Sequence, residues 1–325
     1  MNTKLMRLNT MQITIPLVWL RDFPRLTSVL RAMIVGVLTL CGALHSGWAK
    51  DELDRSTAET PLYKQIVGRI QAKVSAKLVK EPLTQDRFFI IPFAYENRGN
   101  DPEFSHTFLT VIRVFAHGRQ RKAHPEFTTG RYKAWDFEAY TISWLPADFI
   151  ENPNLIVFRG FGARLVPQWN KAPLSPGKSF NLEQTITLAA NAKVAVGMWG
   201  PYEIAKGGFD LGVKRKRLLD TGTIKYRADD RLYRKNQTAI NCFHAVASLD
   251  EPFPNGGAFG TGFNMWGLNG THRVLLEYTT RERNRALLKD PVDVDADLYG
   301  FVYTPAPGES RIYNPFEHGA SAYRK

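Results

Sequence analysis

Three β-rich runs between residues 87 and 144 constrain this fold more than any other feature of the chain. They are Arg87–Glu96 (RFFIIPFAYE), His106–Ala116 (HTFLTVIRVFA) and Phe137–Trp144 (FEAYTISW), all dense in β-branched and aromatic residues. Successive side chains of a strand point to opposite faces, and the apolar positions of the second and third runs alternate in that way. The two are expected to pair as antiparallel neighbours, which sets the end of the later run beside the start of the earlier one. Asn97–Phe104 reads as the first connecting loop, and the basic, glycine-containing stretch His117–Lys133 as the second.

Helical periodicity flanks this sheet. Thr60-Pro61 is a cap followed by a first-turn proline, and Leu62, Ile66, Ile70 and Val74 recur at helical spacing to about Lys80. Leu182–Ala190 reads as a helix stopped at Asn191, and Lys193–Met198 as a strand. A helix is expected over Tyr202–Leu219, carrying Ile204, Phe209, Val213 and Leu218 and ending at Thr221-Gly222; its Lys214–Arg217 run suits a solvated helix C-terminus. Pro173–Lys178 reads as a turn, Leu155–Val166 as a strand pair interrupted by Gly160 and Gly162, and Ile240–Leu249 as a short helix bearing Cys242. Gly256–Gly262 is a glycine-rich loop, with a polar helix or strand around Val274–Arg285. No internal repeat or linker interrupts the pattern. The expected organisation is a signal peptide over 1–49, an N-terminal leader and helix over 50–86, and one α+β domain over 87–325 that ends in a C-terminal extension.

The N-terminus has the order of an export signal. Arg21, Arg25 and Arg31 precede an apolar run, Ala32–Leu44, and Gly47-Trp48-Ala49 put small residues at −3 and −1 of a cut before Lys50. The run is shorter than the roughly 20 residues that span a bilayer. Leu40 occupies the position that a lipoprotein cut before Cys41 would need filled by a small residue. The n-region is long enough that Met6 or Met11 also serves as a start. Periplasmic or secreted localisation in a bacterium is the expectation. Loss of Lys4, Arg7, Arg21, Arg25, Arg31 and Asp22 with the leader lowers the net charge from +12 to +8. That balance suits an anionic envelope surface and peripheral membrane contact, whereas no nucleic-acid motif accompanies it.

Several motifs fail. The chain has no His-Glu-x-x-His, Gly-x-Ser-x-Gly or Walker sequence. Gly257, Gly260 and Gly262 lack the leading strand of a dinucleotide loop. Asp293, Asp295 and Asp297 start like a calcium loop, but Leu298 stands at the sharp-turn position and Thr304 where the distal acid belongs. An edge strand with aspartates outward and Val294 inward is expected there. No metal and no cofactor is expected.

Cysteine use is more informative. With Cys41 leaving in the leader, Cys242 is the lone thiol of an exported chain, and in an oxidising compartment a free thiol is exposed to oxidation or mispairing. A buried small hydrophobe is one reason to keep it. Catalysis is the other. Asn241-Cys242-Phe243-His244 stands at a predicted helix start, where backbone N–H groups favour a thiolate, and His106 opens a strand upstream. Ser143, at the end of the neighbouring strand, would orient the imidazole, with the Trp144 indole shielding that hydrogen bond. Glu138 competes as orienter but lies at the other end. A thiolate–imidazolium pair between Cys242 and His106 is expected, with the thiol titrating at about 3.5–7.5. His244, two residues along a helix, points elsewhere and suits packing.

A strand opening with His, followed much later by Asn-Cys-x-His at a helix start, resembles the circularly permuted papain-like superfamily, which includes NlpC-type cell-wall peptidases and lecithin retinol acyltransferase-like proteins. Ser105-His106-Thr107-Phe108-Leu109 is also similar to the histidine strand of bacterial periplasmic thiol acyltransferase-like domains. The resemblance covers roughly residues 87–250. His106 and Cys242 are 136 residues apart, so it implies an insertion around 150–235, and Ser143 stands where members usually carry Asn, His or an acid. The resemblance implies an antiparallel sheet packed on the cysteine-bearing helix and attack by Cys242 on an amide or ester through a thioacyl intermediate. The product would be that of a peptidase, amidase or acyltransferase. The backbone N–H of Cys242 and the Asn241 amide would hold the oxyanion. The implied partner is a cell-envelope peptide, peptidoglycan or a lipid-linked substrate, met by a monomer. A non-catalytic envelope binding protein on the same fold is the alternative, and Trp199–Glu203 would line a groove in either case.

Overall fold

The computed structural model describes residues 60–79, 83–97, 105–117, 128–132, 135–149, 175–226, 239–247, 267–302 and 314–317. The expected leader, the strand pair at 155–166 and the loop at 256–262 lie outside the described residues.

Helix α1 (Pro61–Leu78) starts where Thr60 Oγ1 accepts the Tyr63 N–H at 3.2 Å, with proline at a first-turn position whose N–H would go unpaired anyway. Five strands follow: β1 (Arg87–Glu96), β2 (His106–Val114), β3 (Thr128–Tyr132), β4 (Trp135–Ile142) and β5 (Trp144–Pro146). Next come β6 (Ser175–Ser179) and α2 (Leu182–Asn191), whose capping box joins Asn181 and Gln184 reciprocally. The chain continues through β7 (Ala195–Met198), β8 (Tyr202–Ile204), α3 (Lys206–Asp220), β9 (Lys225–Tyr226) and β10 (Ala239–Ile240). The last elements are α4 (Cys242–Val246), α5 (Gly267–Thr280), α6 (Glu282–Leu287) and β11 (Tyr299–Phe301).

The central sheet runs β11-β7-β1-β2-β4-β3, with β8 also on β1, and every pairing in it is antiparallel. β1 lies in the middle: β2 covers one flank, while β8 and then β7 share the other. Pro92 falls between those two partners, where a strand residue without an N–H does least harm to the ladder; its carbonyl still accepts the Trp199 N–H at 3.0 Å. A smaller sheet, β10-β9-β6-β5, adjoins the exit of β4.

Both faces of the central sheet are buried. On one, Ile66, Ile70 and Val74 of α1 and Leu182 and Ile186 of α2 pack on Phe89, Ile91, Phe93, Phe108 and Ile112. On the other, Phe209, Phe243, Leu268 and Leu275 from α3, α4 and α5 pack on Phe88, Ile90, Leu109 and Val111. This is a mixed α+β fold built on an antiparallel sheet, with β2 and β4 adjacent as their sequence pattern implies.

Several expectations are corrected. Tyr202–Ile204 is strand, not the start of a helix, because Glu203 is drawn to β1 by its ion pair with Arg87, and α3 begins only at Lys206. Ser175–Ser179 pairs with β5 as a strand instead of turning, and Thr128–Tyr132 interrupts the loop expected at 117–133 by pairing with β4. Asp293–Asp297 is a turn instead of an edge strand. Asp293 Oδ1 accepts the N–H groups of Asp295 and Ala296 at 3.1 and 3.0 Å, a local bond that short acidic side chains form readily. Within 150–235, β7 and β8 both pair with β1, so this stretch supplies part of the central sheet.

Candidate active site

The ladder between β2 and β4 runs from Val114–Phe137 to Leu109–Ile142 and stops there, whereas β1 stays paired with β2 as far as Tyr95–His106. Residues His106–Phe108 therefore keep one neighbouring strand and lose the other. The chain leaving β4 goes to the second sheet through β5, and Ser143 sits at the departure point.

Packing fixes that departure. Trp144 is fully buried, and its Nε1 donates to the Ile240 carbonyl at 3.2 Å, tying the exit of β4 to the residue two before Cys242. Its ring lies flat against β6, where a Cβ at Gly177 would fall 2.0 Å from Trp144 Cζ2, so only glycine fits. Asn241 caps α4, its Oδ1 accepting the His244 N–H at 3.0 Å. Cys242 thus begins α4 beside the open flank of β2, and its sulfur takes hydrogen bonds from the backbone of Thr107, the residue next to His106.

His106 is completely buried. Its Nε2 lies 2.9 Å from Ser143 Oγ, and its ring stacks on Phe108 and leans on Tyr95, with centroids 5.4 and 5.3 Å away. Its Nδ1 has no hydrogen-bond partner among the described residues, and neither has Ser105 Oγ, buried beside it in sequence. Cys242 packs in the layer of Leu109 and Val111, and His106 in the layer of Phe108. The two approach β2 from opposite faces at the place where β4 has gone.

Burial dominates the electrostatics. It pushes the Cys242 thiol up to about 12, against a downward pull from hydrogen bonds of the Thr107, Phe243 and Cys242 backbones. It presses His106 down to about 3. Both groups are therefore neutral near pH 7, and the ion pair expected from sequence is not the resting state of this structure. Tyr95 and Tyr226 are pushed up by burial and then by the nearby sulfur, so their hydroxyls stay protonated within electrostatic reach of Cys242.

The structure thus brings His106 and Ser143 into direct contact, and it gathers Cys242, Asn241 and Trp144 around the same strand end. Glu138 bonds Arg113 at 3.1 Å, at the far end of β2. His244 is buried against Phe243. Trp199 and Tyr202 are buried too, bonded to the Val294 carbonyl and Asp297, and so hold the Asp293–Asp297 turn in place. Sequence reading missed Tyr95, Tyr226 and Thr185. The register Tyr95–His106 follows from pairing the first two β-rich runs, and Thr185 stands four residues after a recognisable cap, but neither residue type singles itself out.

Among the described residues, no group of His, Cys, Asp and Glu is arranged to hold a metal ion, and no helix is long and apolar enough to cross a membrane. Comparison with protein-family models, with curated proteins and with solved structures finds no match to the chain.

Proposed function

We propose that the chain is an exported cysteine hydrolase or acyltransferase of circularly permuted papain-like design, acting on an amide or ester of the cell envelope. The observation that carries this reading is the His106 ring, bonded through Nε2 to Ser143, with a free Nδ1 at the strand end where Cys242 also sits.

The chemistry starts from neutral groups. His106 Nδ1 takes the thiol proton as Cys242 Sγ bonds to the substrate carbonyl carbon, and Thr107, Phe243 and Cys242 backbone groups stabilise the sulfur's charge. Collapse of the tetrahedral adduct breaks the C–N or C–O bond, and the imidazolium returns its proton to the leaving amine or alcohol. Water then cleaves the thioester in a hydrolase; an amine or alcohol does so in an acyltransferase. Peptide, peptidoglycan and lipid-linked acyl groups are the substrate classes that an envelope location offers. Asn241 caps α4 through its side-chain oxygen and so places Cys242, and its amide N–H together with the Cys242 backbone N–H are the donors assigned to the oxyanion.

A second reading has its own observation. Cys242 is only 3% exposed and neutral, which is how a packing thiol behaves, and on that view the protein is a non-catalytic envelope binding protein. Alkylation by iodoacetamide separates the two. A catalytic Cys242 rests as the neutral thiol and loses its proton to His106 as it reacts, so the folded protein alkylates without unfolding, His106→Ala slows it at least tenfold, and His244→Ala leaves the rate per folded molecule nearly unchanged. Equal rates in all three, appearing only with unfolding, would establish the packing thiol.

A further inference from the structure

The β2–β4 ladder settles which way the backbone of β4 faces. The Phe115 N–H bonds the Asp136 carbonyl at 3.0 Å, and in an antiparallel pair the residues that exchange hydrogen bonds alternate with those that do not. Asp136, Glu138, Tyr140 and Ile142 therefore turn their backbone groups to β2, while Ala139, Thr141 and Ser143 turn theirs to the flank of β3. Among the described residues the β3 ladder ends at Thr128–Ala139. Thr141 and Ser143 lie beyond that end, both deep in the interior, where an unpaired backbone group is costly.

One side chain takes the place of the strand that has ended. Ser179 Oγ accepts the Ser143 N–H at 3.1 Å and donates to the Thr141 carbonyl at 3.1 Å. A hydroxyl has one proton and two lone pairs, so it does both at once, as the N–H and C=O of a neighbouring strand would together. The next residue completes the set: the Phe180 N–H donates to the Ser143 carbonyl at 2.9 Å. Thr185 Oγ1, in the first turn of α2, donates to the Ser143 hydroxyl oxygen at 2.7 Å. Backbone and side chain of Ser143 are thus held by a single segment, 179–185, which runs from the end of β6 into the capped start of α2.

We infer that Ser179 is a positioning residue: its hydroxyl replaces the missing strand beside β4 and so sets the Ser143 side chain against His106. The inference deepens the proposed thiol chemistry and rests on it for its purpose. Ser143 is the single residue between β4 and β5, where the chain passes from one sheet to the other. At such a crossing the alternation of side chains is easily lost. Bridging the carbonyl of residue 141 to the N–H of residue 143 keeps the chain extended for one residue beyond the last pair, Leu109–Ile142. The Ser143 side chain then points to the same face as Phe137 and Ala139, the layer in which His106 stacks on Phe108, and its oxygen comes to 2.9 Å from Nε2. Alanine at position 179 takes this partner from both backbone groups at once, whereas threonine keeps the hydroxyl and suits a strand.

The test reads the His106 ring of the folded, ¹⁵N-labelled protein by long-range proton–nitrogen correlation NMR. His106→Gln assigns the ring signals, and Ser143→Ala marks where they fall once the serine contact is lost. Ser179→Ala is expected to shift the His106 Nε2 signal most of the way to the Ser143→Ala position, and Ser179→Thr to leave it at the wild-type one. In the Ser143→Ala background, Ser179→Ala should move it no further, because residue 179 acts through Ser143. A merely structural Ser179 would lower stability and leave the ring signals of the folded Ser179→Ala protein where wild type has them, and that result overturns the inference. The wild type supplies a check that needs no variant. Its Ser179 hydroxyl proton should exchange slowly and show a cross-peak to the Ser143 amide; a rapidly exchanging hydroxyl without that cross-peak overturns the inference as well. If the ring behaves as expected and Cys242 nevertheless forms no acyl adduct in any of these proteins, the bridge stands and the catalytic reading falls.

Discussion

The two ends of β2 are equally buried and do different things. Leu109–Val114 are hydrogen-bonded on both flanks, to β1 and to β4, and their side chains fill the two core layers. His106–Phe108 keep β1 alone. There the backbone of Thr107 is free of the β4 ladder and bonds the Cys242 sulfur instead. His106 and Ser143 meet at this end and Cys242 comes to it from the other face of β2, while the paired end carries the buried Thr110–Thr141 contact and the Arg113–Glu138–Asp86 ion cluster at its rim. Burial is common to both ends; the end of the ladder differs because it frees the Thr107 backbone to bond the Cys242 sulfur.

That contrast can be broken from either side, and the largest effect belongs to the paired end. Ile112→Ala should cost about 2–5 kcal/mol in denaturant unfolding, since the buried methyl groups leave a cavity. The reactivity of Cys242 per folded molecule should stay as it was; a matching loss of reactivity would show that the two ends are not separable.

Acid tests the open end. His106 titrates at about 3 when folded and near 6.5 when unfolded, so between those values the unfolded chain binds the extra proton. The contribution is complete above pH 6.5 and is lost as pH falls toward 3, at up to about 1.4 kcal/mol per pH unit. Cys242 has the mirror behaviour: its folded value near 12 lies above the ordinary thiol, so stability falls as pH rises from about 9 to 12. His106→Gln should flatten the acid limb and Cys242→Ala the alkaline limb, each measured by chemical denaturation across pH.

Smaller still is Ser143→Ala, which takes away the hydrogen-bond partner of the buried His106 Nε2 and should cost about 1–3 kcal/mol. The smallest is Asp210→Asn, which breaks an exposed ion pair with Lys206 on α3 and should change stability by at most about 0.5 kcal/mol, with no effect on Cys242. A larger effect there would mean that α3 couples to the open end.

The sequence carried much of this arrangement and hid a specific part. Strand β1 was legible to the residue, as were the Thr60 cap and the β2–β4 pairing, because β-branched runs and capping chemistry are local signals. The His106–Ser143 contact followed from that pairing alone. What stayed hidden depends on tertiary context. Tyr202–Ile204 has a helix-compatible pattern that β1 overrides, and the Asp293–Asp297 turn is stabilised by side chains bonding their own backbone. The neutral state of Cys242 and His106 could not be read either: spacing places a thiol near a helix start, but only three-dimensional packing says how much water is left to stabilise its charge.

The most direct test of the central claim is the mass of the Cys242 peptide after the folded protein is mixed with p-nitrophenyl acetate. Wild type should carry an acetyl group on the Cys242 sulfur that is lost with time to water or to an added amine, and His106→Ala should acquire it at least a hundredfold more slowly. No acetyl group on Cys242 in the folded wild type, or the same rate of acetylation in both proteins, would contradict the account.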